Sequence, residues 1–292
     1  MLTKSQKAVL YMVGSVICFS SMDLIVKYLN NVPFGKVLFM RFFFGMIQIF
    51  FLIPRDKIFT FYKTKRPILH AWRACCGALA ICALFVALRN LPLADVISLT
   101  FTGPLFVTIM SVIFLSEKVG IRRWSAVLIG FIGMLFIVRP AFQEMNLYYI
   151  FPIIFSLGFA NVAISIRSLS KTEPNYLIAF YFSLLSLLVA LGTIINGWIW
   201  PTPYEALLFA ILGLSGGVAN LLLTQSYRLA DASLVSPIKY LSLIVAVVAG
   251  YLIFSEVPKP MTLFGAGLIV ISSFIIFRRE SILKKQVVAP RV

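Results

Sequence analysis

Lys239 is the residue whose type and place say most about chemistry. It follows Pro237 and precedes Tyr240 inside a long apolar stretch, where an ammonium group is costly unless it meets a cavity or a counter-charge. When the sequence is slid by 139 residues, Lys239 and Tyr240 fall on Thr100 and Phe101. The cation therefore occupies one of two related places. A charge that breaks an internal symmetry suits recognition of an asymmetric, anionic or zwitterionic solute. The structural alternative is an internal pair with Asp231.

A second cluster lies near the N-terminus. Asp23 and Lys27 are one helical turn apart on the same face and can pair directly. Such a pair either fixes the helix end or takes part in coupling, and Asp23, the deeper of the two, is placed to carry a proton. Arg41, set among Phe39, Phe42, Phe43 and Phe44, braces Asp23 or lines the same cavity. Ser20 accompanies Asp23, Asn161 lies four residues before Ser165, and Asn220 lies four before Thr224. The expected substrate contacts are thus Lys239, Tyr240, Asp23, Ser20, Asn161, Asn220, Thr224 and Phe101. Coupling or gating falls to Asp23, Lys27 and Arg41. The polar groups have a plainer use as interhelical hydrogen bonds, worth about 1 kcal/mol each.

The remaining reactive residue types offer little. His70 and Arg73 read as interfacial groups at a helix end, reaching headgroups or snorkelling. Cys18, Cys75, Cys76 and Cys82 sit in apolar stretches, where a thiol behaves as a small apolar group. Glu117 and Glu256 occupy equivalent places after Ser116 and Ser255, which points to helix capping or pairing with loop cations. With one histidine and scattered carboxylates, no catalytic or metal-binding constellation forms. Neither an enzyme nor a cofactor is expected.

The elements that must position these residues are membrane helices. Of 292 residues 61% are hydrophobic and 12% charged. Apolar stretches of roughly 20 residues match a hydrocarbon core of about 30 Å, and the short alternating segments of a β-barrel are absent. Ten spans are predicted: 8–28, 36–53, 68–90, 93–115, 122–138, 147–167, 175–197, 204–228, 232–254 and 260–277. The first resembles a signal peptide but carries Asp23 and Lys27 and has a partner in the sixth, so a permanent span is expected.

Charge sets the orientation. Of 26 lysines and arginines, only Lys36, Arg89, Arg139 and Lys259 fall on one side, while Lys27, Arg41, Arg73 and Lys239 lie in the spans. The other 18 fall on the opposite side, which the positive-inside rule makes cytoplasmic, with both termini. The net charge of +16 thus reflects the membrane and anionic lipid, not nucleic acid.

The same 139-residue shift places Gly77 on Gly216, Arg89 on Arg228 and Ser116-Glu117 on Ser255-Glu256. Two repeats follow, 1–145 and 146–292. Five spans in each force opposite orientations, an all-α plan of two inverted five-helix repeats around a central cavity. Secondary transporters use this plan for alternating access. A lipid-handling protein and a channel are the competing readings.

Several stretches carry a family resemblance. They are Lys27-Tyr28-Leu29, Arg41-Phe42-Phe43, Gly103-Pro104-Leu105-Phe106, Ser116-Glu117, Gly130-Phe131-Ile132-Gly133, Lys239-Tyr240-Leu241 and Phe254-Ser255-Glu256. In their order and spacing the chain resembles the EamA-type members of the drug/metabolite transporter superfamily. The resemblance implies a bacterial inner-membrane carrier of a small metabolite, with a cavity lined by spans 1, 3, 4, 6, 8 and 9 and with spans 5 and 10 peripheral. It also allows coupling to a proton or counter-substrate. Within that group the S-adenosylmethionine uptake carriers are similar in Tyr28-Leu29, Arg41 to Phe44 and Gly130 to Gly133. Exporters of amino acids or amines share the fold. One departure is Leu243, where the family often has the proline that matches Pro104; the ninth span is expected to lack the kink of the fourth.

Overall fold

A computed structural model of the chain describes residues 4–50, 62–115, 120–144, 146–169, 172–194, 200–229 and 236–288. Among these residues the secondary structure is helical throughout. That is the expected answer for apolar segments whose backbone groups must be satisfied without water. The helices are α1 (Lys4–Tyr28), α2 (Phe34–Phe50), α3 (Pro67–Asn90), α4 (Leu93–Thr100), α5 (Gly103–Leu115) and α6 (Ile121–Glu144). There follow α7 (Ile150–Leu169), α8 (Asn175–Gly192), α9 (Pro203–Leu229), α10 (Leu241–Phe254) and α11 (Pro260–Val288).

Local sequence explains the starts. Pro67, Pro203 and Pro260 open their helices, where a missing N–H costs nothing. Before α9, the Glu205 N–H donates to Thr202 Oγ1 at 3.2 Å and Glu205 Oε2 accepts from the Thr202 N–H at 3.1 Å. This is a reciprocal cap on the helix start.

Polarity is inverted relative to a protein in water. Leu79, Leu128, Leu135 and Leu252 are exposed, whereas Asp23, Arg41, Arg73 and Asp95 are buried. Among the described residues five stretches are long and apolar enough to cross a membrane: Gln6–Asn31, Pro67–Asn90, Leu93–Met110, Leu147–Ile166 and Pro203–Leu223. Shorter apolar helices cover Trp124–Val138, Tyr176–Gly192, Ile238–Phe254 and Pro260–Ser272. The chain is an all-α, multi-pass membrane protein.

Helix contacts come in matching pairs. α1 packs on α9 as α7 packs on α3, and α2 packs on α9 as α8 packs on α3. α2 meets α8, α4 meets α10, and α6 meets α11. A continuous core around Val26, Leu38, Phe42, Phe85, Leu88, Leu99 and Phe209 fills the space between them.

Small residues set the close crossings. A Cβ on Gly213 would meet Phe44 Cβ and, at 3.1 Å, the Arg41 carbonyl, which brings α9 against α2. Gly158 lies against Ala80 between α7 and α3, with 2.8 Å for a Cβ there. Gly133 and Gly265 each face the other's carbonyl oxygen between α6 and α11. The repeat-related Gly77 and Gly216 make similar room, a Cβ on the first meeting the Phe182 ring at 2.7 Å and one on the second the Arg41 guanidinium.

The fourth predicted span is two helices. α4 ends at Thr100 and α5 begins at Gly103. Pro104 has no N–H to donate to the Thr100 carbonyl, so the helix must break or kink there. The freed acceptors find hydroxyls: Thr102 Oγ1 donates to Leu99 O at 2.7 Å, and Ser156 Oγ on α7 lies 3.2 Å from Leu99 O and 3.3 Å from Thr100 O. The ninth span begins as a tighter 3-10 segment, Ser236–Tyr240, that runs directly into α10, and α10 passes Leu243 without the interruption seen at Pro104, as expected from that residue. The tenth span runs further than expected, α11 continuing through Arg278 to Val288.

Candidate functional site

The break in the fourth span meets the change from 3-10 to α-helix in the ninth. Phe101, immediately after α4, and Tyr240, immediately before α10, bring their rings to 5.0 Å between centroids. They are the two residues that the 139-residue shift aligns. Tyr240 donates its hydroxyl to Val270 O on α11 at 3.2 Å, which fixes the ring from the far side. Lys239 is half-buried on the 3-10 turn, one residue from this stack, and its carbonyl accepts from Ser242 Oγ at 2.8 Å. α1 packs against both this turn and α10.

On α1 the structure buries Ser20 and Asp23. Ser20 Oγ and Asp23 Oδ1 have no hydrogen-bond partner among the described residues. Arg41 is the opposite charge that acts on Asp23, but the two make no direct ion pair. Instead Arg41 Nε lies 3.3 Å from Met22 Sδ, and the guanidinium rests on the bare backbone of Gly216. A buried carboxyl oxygen and a buried hydroxyl thus have hydrogen-bonding capacity to spare beside a buried guanidinium, and ionisable groups so placed in a membrane usually face a cavity or one another.

Lys27 corrects a sequence expectation. It does not pair with Asp23 one turn away. Its Nζ lies 2.7 Å from Glu256 Oε1 and donates to Leu91 O at 2.5 Å, with Leu88 O at 3.3 Å. The other oxygen of Glu256 accepts the Leu93 N–H at 2.8 Å and caps α4. The capping expected of Glu256 is therefore present, while Glu117 lies outside the described residues. Lys36 pairs with Glu205 at 2.9 Å at the same end of the bundle. Ser255, before Glu256, has a φ of 56°, a left-handed turn that points the carboxylate back along the helix.

The other candidates are dispersed. Asn161 Oδ1 accepts from Trp72 Nε1 at 3.4 Å between α7 and α3. Asn220 donates to its own helix at Gly216 O, 2.8 Å away. The side chain of Thr224 and all of Asp231 lie outside the described residues.

Comparison with known proteins decides the family. The model of the EamA-like transporter family matches this chain twice, over residues 6–139 and 146–278. The chain belongs to the EamA-like transporter family. It is 29% identical over 276 residues to an S-adenosylmethionine uptake transporter of Rickettsia bellii, covering 94% of each. It is also 28% identical to the pseudopaline exporter CntI of Pseudomonas aeruginosa, covering 94% of this chain and 97% of that one. A riboflavin transporter of Rhizobium johnstonii is 29% identical, with 93% and 91% covered. A crystal structure with 17% sequence identity aligns over 97% of this chain and 99% of its own with a TM-score of 0.61, a likeness of fold.

One buried group of this EamA-type transporter escaped the sequence reading, and two others lie elsewhere than it placed them. Asp95, in the first turn of α4, accepts from the Tyr149 hydroxyl and from Thr262 Oγ1, the latter at 2.7 Å. It ties α4 to the start of α7 and of α11. Its position inside a predicted span was the available signal. His70 is no headgroup contact: it is 1% exposed and stacked on Tyr181 with ring centroids 4.7 Å apart. Arg73 likewise does not snorkel but is buried over the Phe182 ring, 4.3 Å from its centroid.

Proposed function

We propose that this transporter works by alternating access, with residues 1–145 and 146–292 as inverted five-helix repeats that rock about a site where Phe101 meets Tyr240. The observation that carries the reading is the contact of these two repeat-related residues, one at the break in the fourth span and the other where 3-10 turn passes into α-helix in the ninth. Discontinuous helices near the middle of the bilayer are where such carriers hold substrate. The matching helix contacts and the double family match support the repeat. The charge distribution supports cytoplasmic termini.

The cargo we infer is a zwitterion with a planar ring, and S-adenosylmethionine, named for the Rickettsia relative, satisfies that chemistry. Phe101 and Tyr240 offer aromatic faces. Lys239 would meet a carboxylate, and Asp23, with Ser20, an ammonium or sulfonium. Asn161, Asn220 and Thr224 supply further polar contacts from α7 and α9. Arg41 stands as the charge against which Asp23 gains or loses a proton, and Lys27 with Glu256 as the tie to be released when that end opens. An amino-acid or amine exporter is the second reading, favoured by the likeness to CntI over nearly the whole chain.

Counterflow in proteoliposomes loaded with S-adenosylmethionine tests both. Saturable uptake of labelled compound, lost in Lys239→Ala with the protein still monodisperse, is the expected result. Uptake unchanged in that variant removes Lys239 from the site. No uptake of S-adenosylmethionine, with labelled amino acids or amines exchanging instead, selects the second reading.

A further inference from the structure

Two buried cationic or ionisable groups on α3 stand apart from the site proposed above. His70 and Arg73 lie three residues apart on one helix face and are 1% and 8% exposed. Among the described residues neither ring nitrogen of His70 has a hydrogen-bond partner, and neither does Arg73 Nε. Arg73 Nη1 reaches only Ile178 O, at 3.5 Å, a marginal contact for a charged donor. The rings of Tyr181 and Phe182 on α8 cover the two groups. Tyr181 is itself held by donating its hydroxyl to Tyr62 O.

The charged surroundings are unequal. Arg66 and Glu173 act on His70 along with Arg73. Glu173 is already engaged, accepting from Thr64 Oγ1 and the Lys65 N–H at 2.9 Å each. Arg66 is engaged too, donating to Ser168. Arg73 is thus a buried cation with no carboxylate against it among the described residues. A buried guanidinium with spare donors demands an acceptor, because an unmade hydrogen bond to a charged group is costly.

We propose that His70 and Arg73 form a binding site for a small anion of carboxylate or halide size, between α3 and α8 at the end that the charge pattern assigns to the cytoplasm. Arg73 supplies the charge and a forked donor set, and His70 a further donor beside it. The two aromatic rings keep bulk water out and strengthen the attraction. The anion is either the carboxylate of a cargo molecule in transit or a free ion from the cytoplasm. This site goes beyond the cargo reading and stands if that reading fails.

His70 is the single histidine of the chain, so full-length protein labelled with isotopic histidine, and carrying no histidine tag, gives one imidazole signal. In nanodiscs at fixed pH, acetate and chloride are titrated separately in a buffer whose anion is a bulky sulfonate. The expected result is a saturable shift of the His70 resonance, with apparent affinity about tenfold or more weaker in Arg73→Gln and an intermediate loss in Arg73→Lys, which keeps the charge but not the fork. A response to acetate alone points to a cargo carboxylate, and equal responses point to a free ion. No saturable shift with either anion in the wild-type protein overturns the proposal, as does a shift that is unchanged in Arg73→Gln.

Discussion

Phe101 and Tyr240, which the internal repeat makes equivalent, stack on one another at 5.0 Å with an interplanar angle of 54°. Each closes or opens a helix: α4 ends just before Phe101 and α10 starts just after Tyr240. Helix ends in a membrane leave backbone groups that side chains or ligand must satisfy. At the break in the fourth span Ser156 and Thr102 do so. The contact puts two aromatic faces beside that interrupted span, surface of the kind that a ring-bearing solute requires.

The stack predicts a graded response. Phe101→Ala and Tyr240→Ala should each reduce counterflow about two- to tenfold, since an aromatic pair of this kind contributes roughly 0.5–1.5 kcal/mol beyond burial. Tyr240→Phe keeps the ring and loses only the hydroxyl donated to Val270 O, about 1 kcal/mol. It should lower the melting temperature slightly and leave transport intact. Normal counterflow in Phe101→Ala would remove the stack from the site.

The Lys27–Glu256 contact predicts a stability effect with a rescue. Lys27 is buried and Glu256 partly exposed. Lys27→Met leaves the carboxylate without its cation and should cost about 1–3 kcal/mol, less than a fully buried pair because water reaches Glu256. Glu256→Gln should cost at least as much, since its single amide oxygen can accept from the Leu93 N–H or from Lys27 but not both, and the more deeply buried Lys27 loses its counter-charge. Thermal unfolding of both variants in one detergent gives the order, and the reverse order speaks against the pair.

How far the sequence revealed this arrangement depends on the range of each interaction. Apolar length and charge asymmetry are local, so the helices and the break at Gly103-Pro104 were readable from residues in place. Glu256 was readable as a cap because its twin Glu117 marks the position. The partners were not. Asp23 lies four residues from Lys27 and looked like its mate, but the turn after α10 that contains Glu256 returns to the same place 229 residues later. Asp95 meets Tyr149 and Thr262 only through tertiary packing. His70 was assigned to the interface by its place in a helix, whereas α8 covers it. Periodicity carries no information about which helix covers another.

Asp23 predicts a separation of transport modes. Its Oδ1 is buried without a hydrogen-bond partner among the described residues, and Arg41 is the charge set against it. Asp23→Asn keeps the shape and removes the proton-binding charge. Accumulation driven by a pH gradient should be lost, while counterflow, which needs no net proton movement, should persist with a raised KM because Asp23 also meets the cargo. Measuring both in the same proteoliposomes decides the matter. If gradient-driven accumulation matches wild type, the coupling role is wrong.

The glycine at the α2–α9 crossing predicts a contrast within one kind of substitution. A methyl at Gly213 meets Phe44 Cβ and, at 3.1 Å, both the Arg41 carbonyl and the Gly45 amide nitrogen. Backbone cannot rotate away, so α2 and α9 must separate, and Gly213→Ala should cost about 1–3 kcal/mol. Gly216→Ala instead meets the guanidinium of Arg41, the end of a flexible side chain. That variant should cost less in stability but should move Arg41 relative to Asp23, and so impair gradient-driven accumulation more than counterflow. Gly267 on α11 has nothing within 4 Å of a Cβ, and Gly267→Ala should be neutral or stabilising by about 0.5–1 kcal/mol through backbone entropy. Melting temperatures in the order Gly267→Ala, Gly216→Ala, Gly213→Ala, highest first, would bear out the crossing. A Gly213→Ala protein as stable as wild type would mean that α2 and α9 lie further apart than their backbones require.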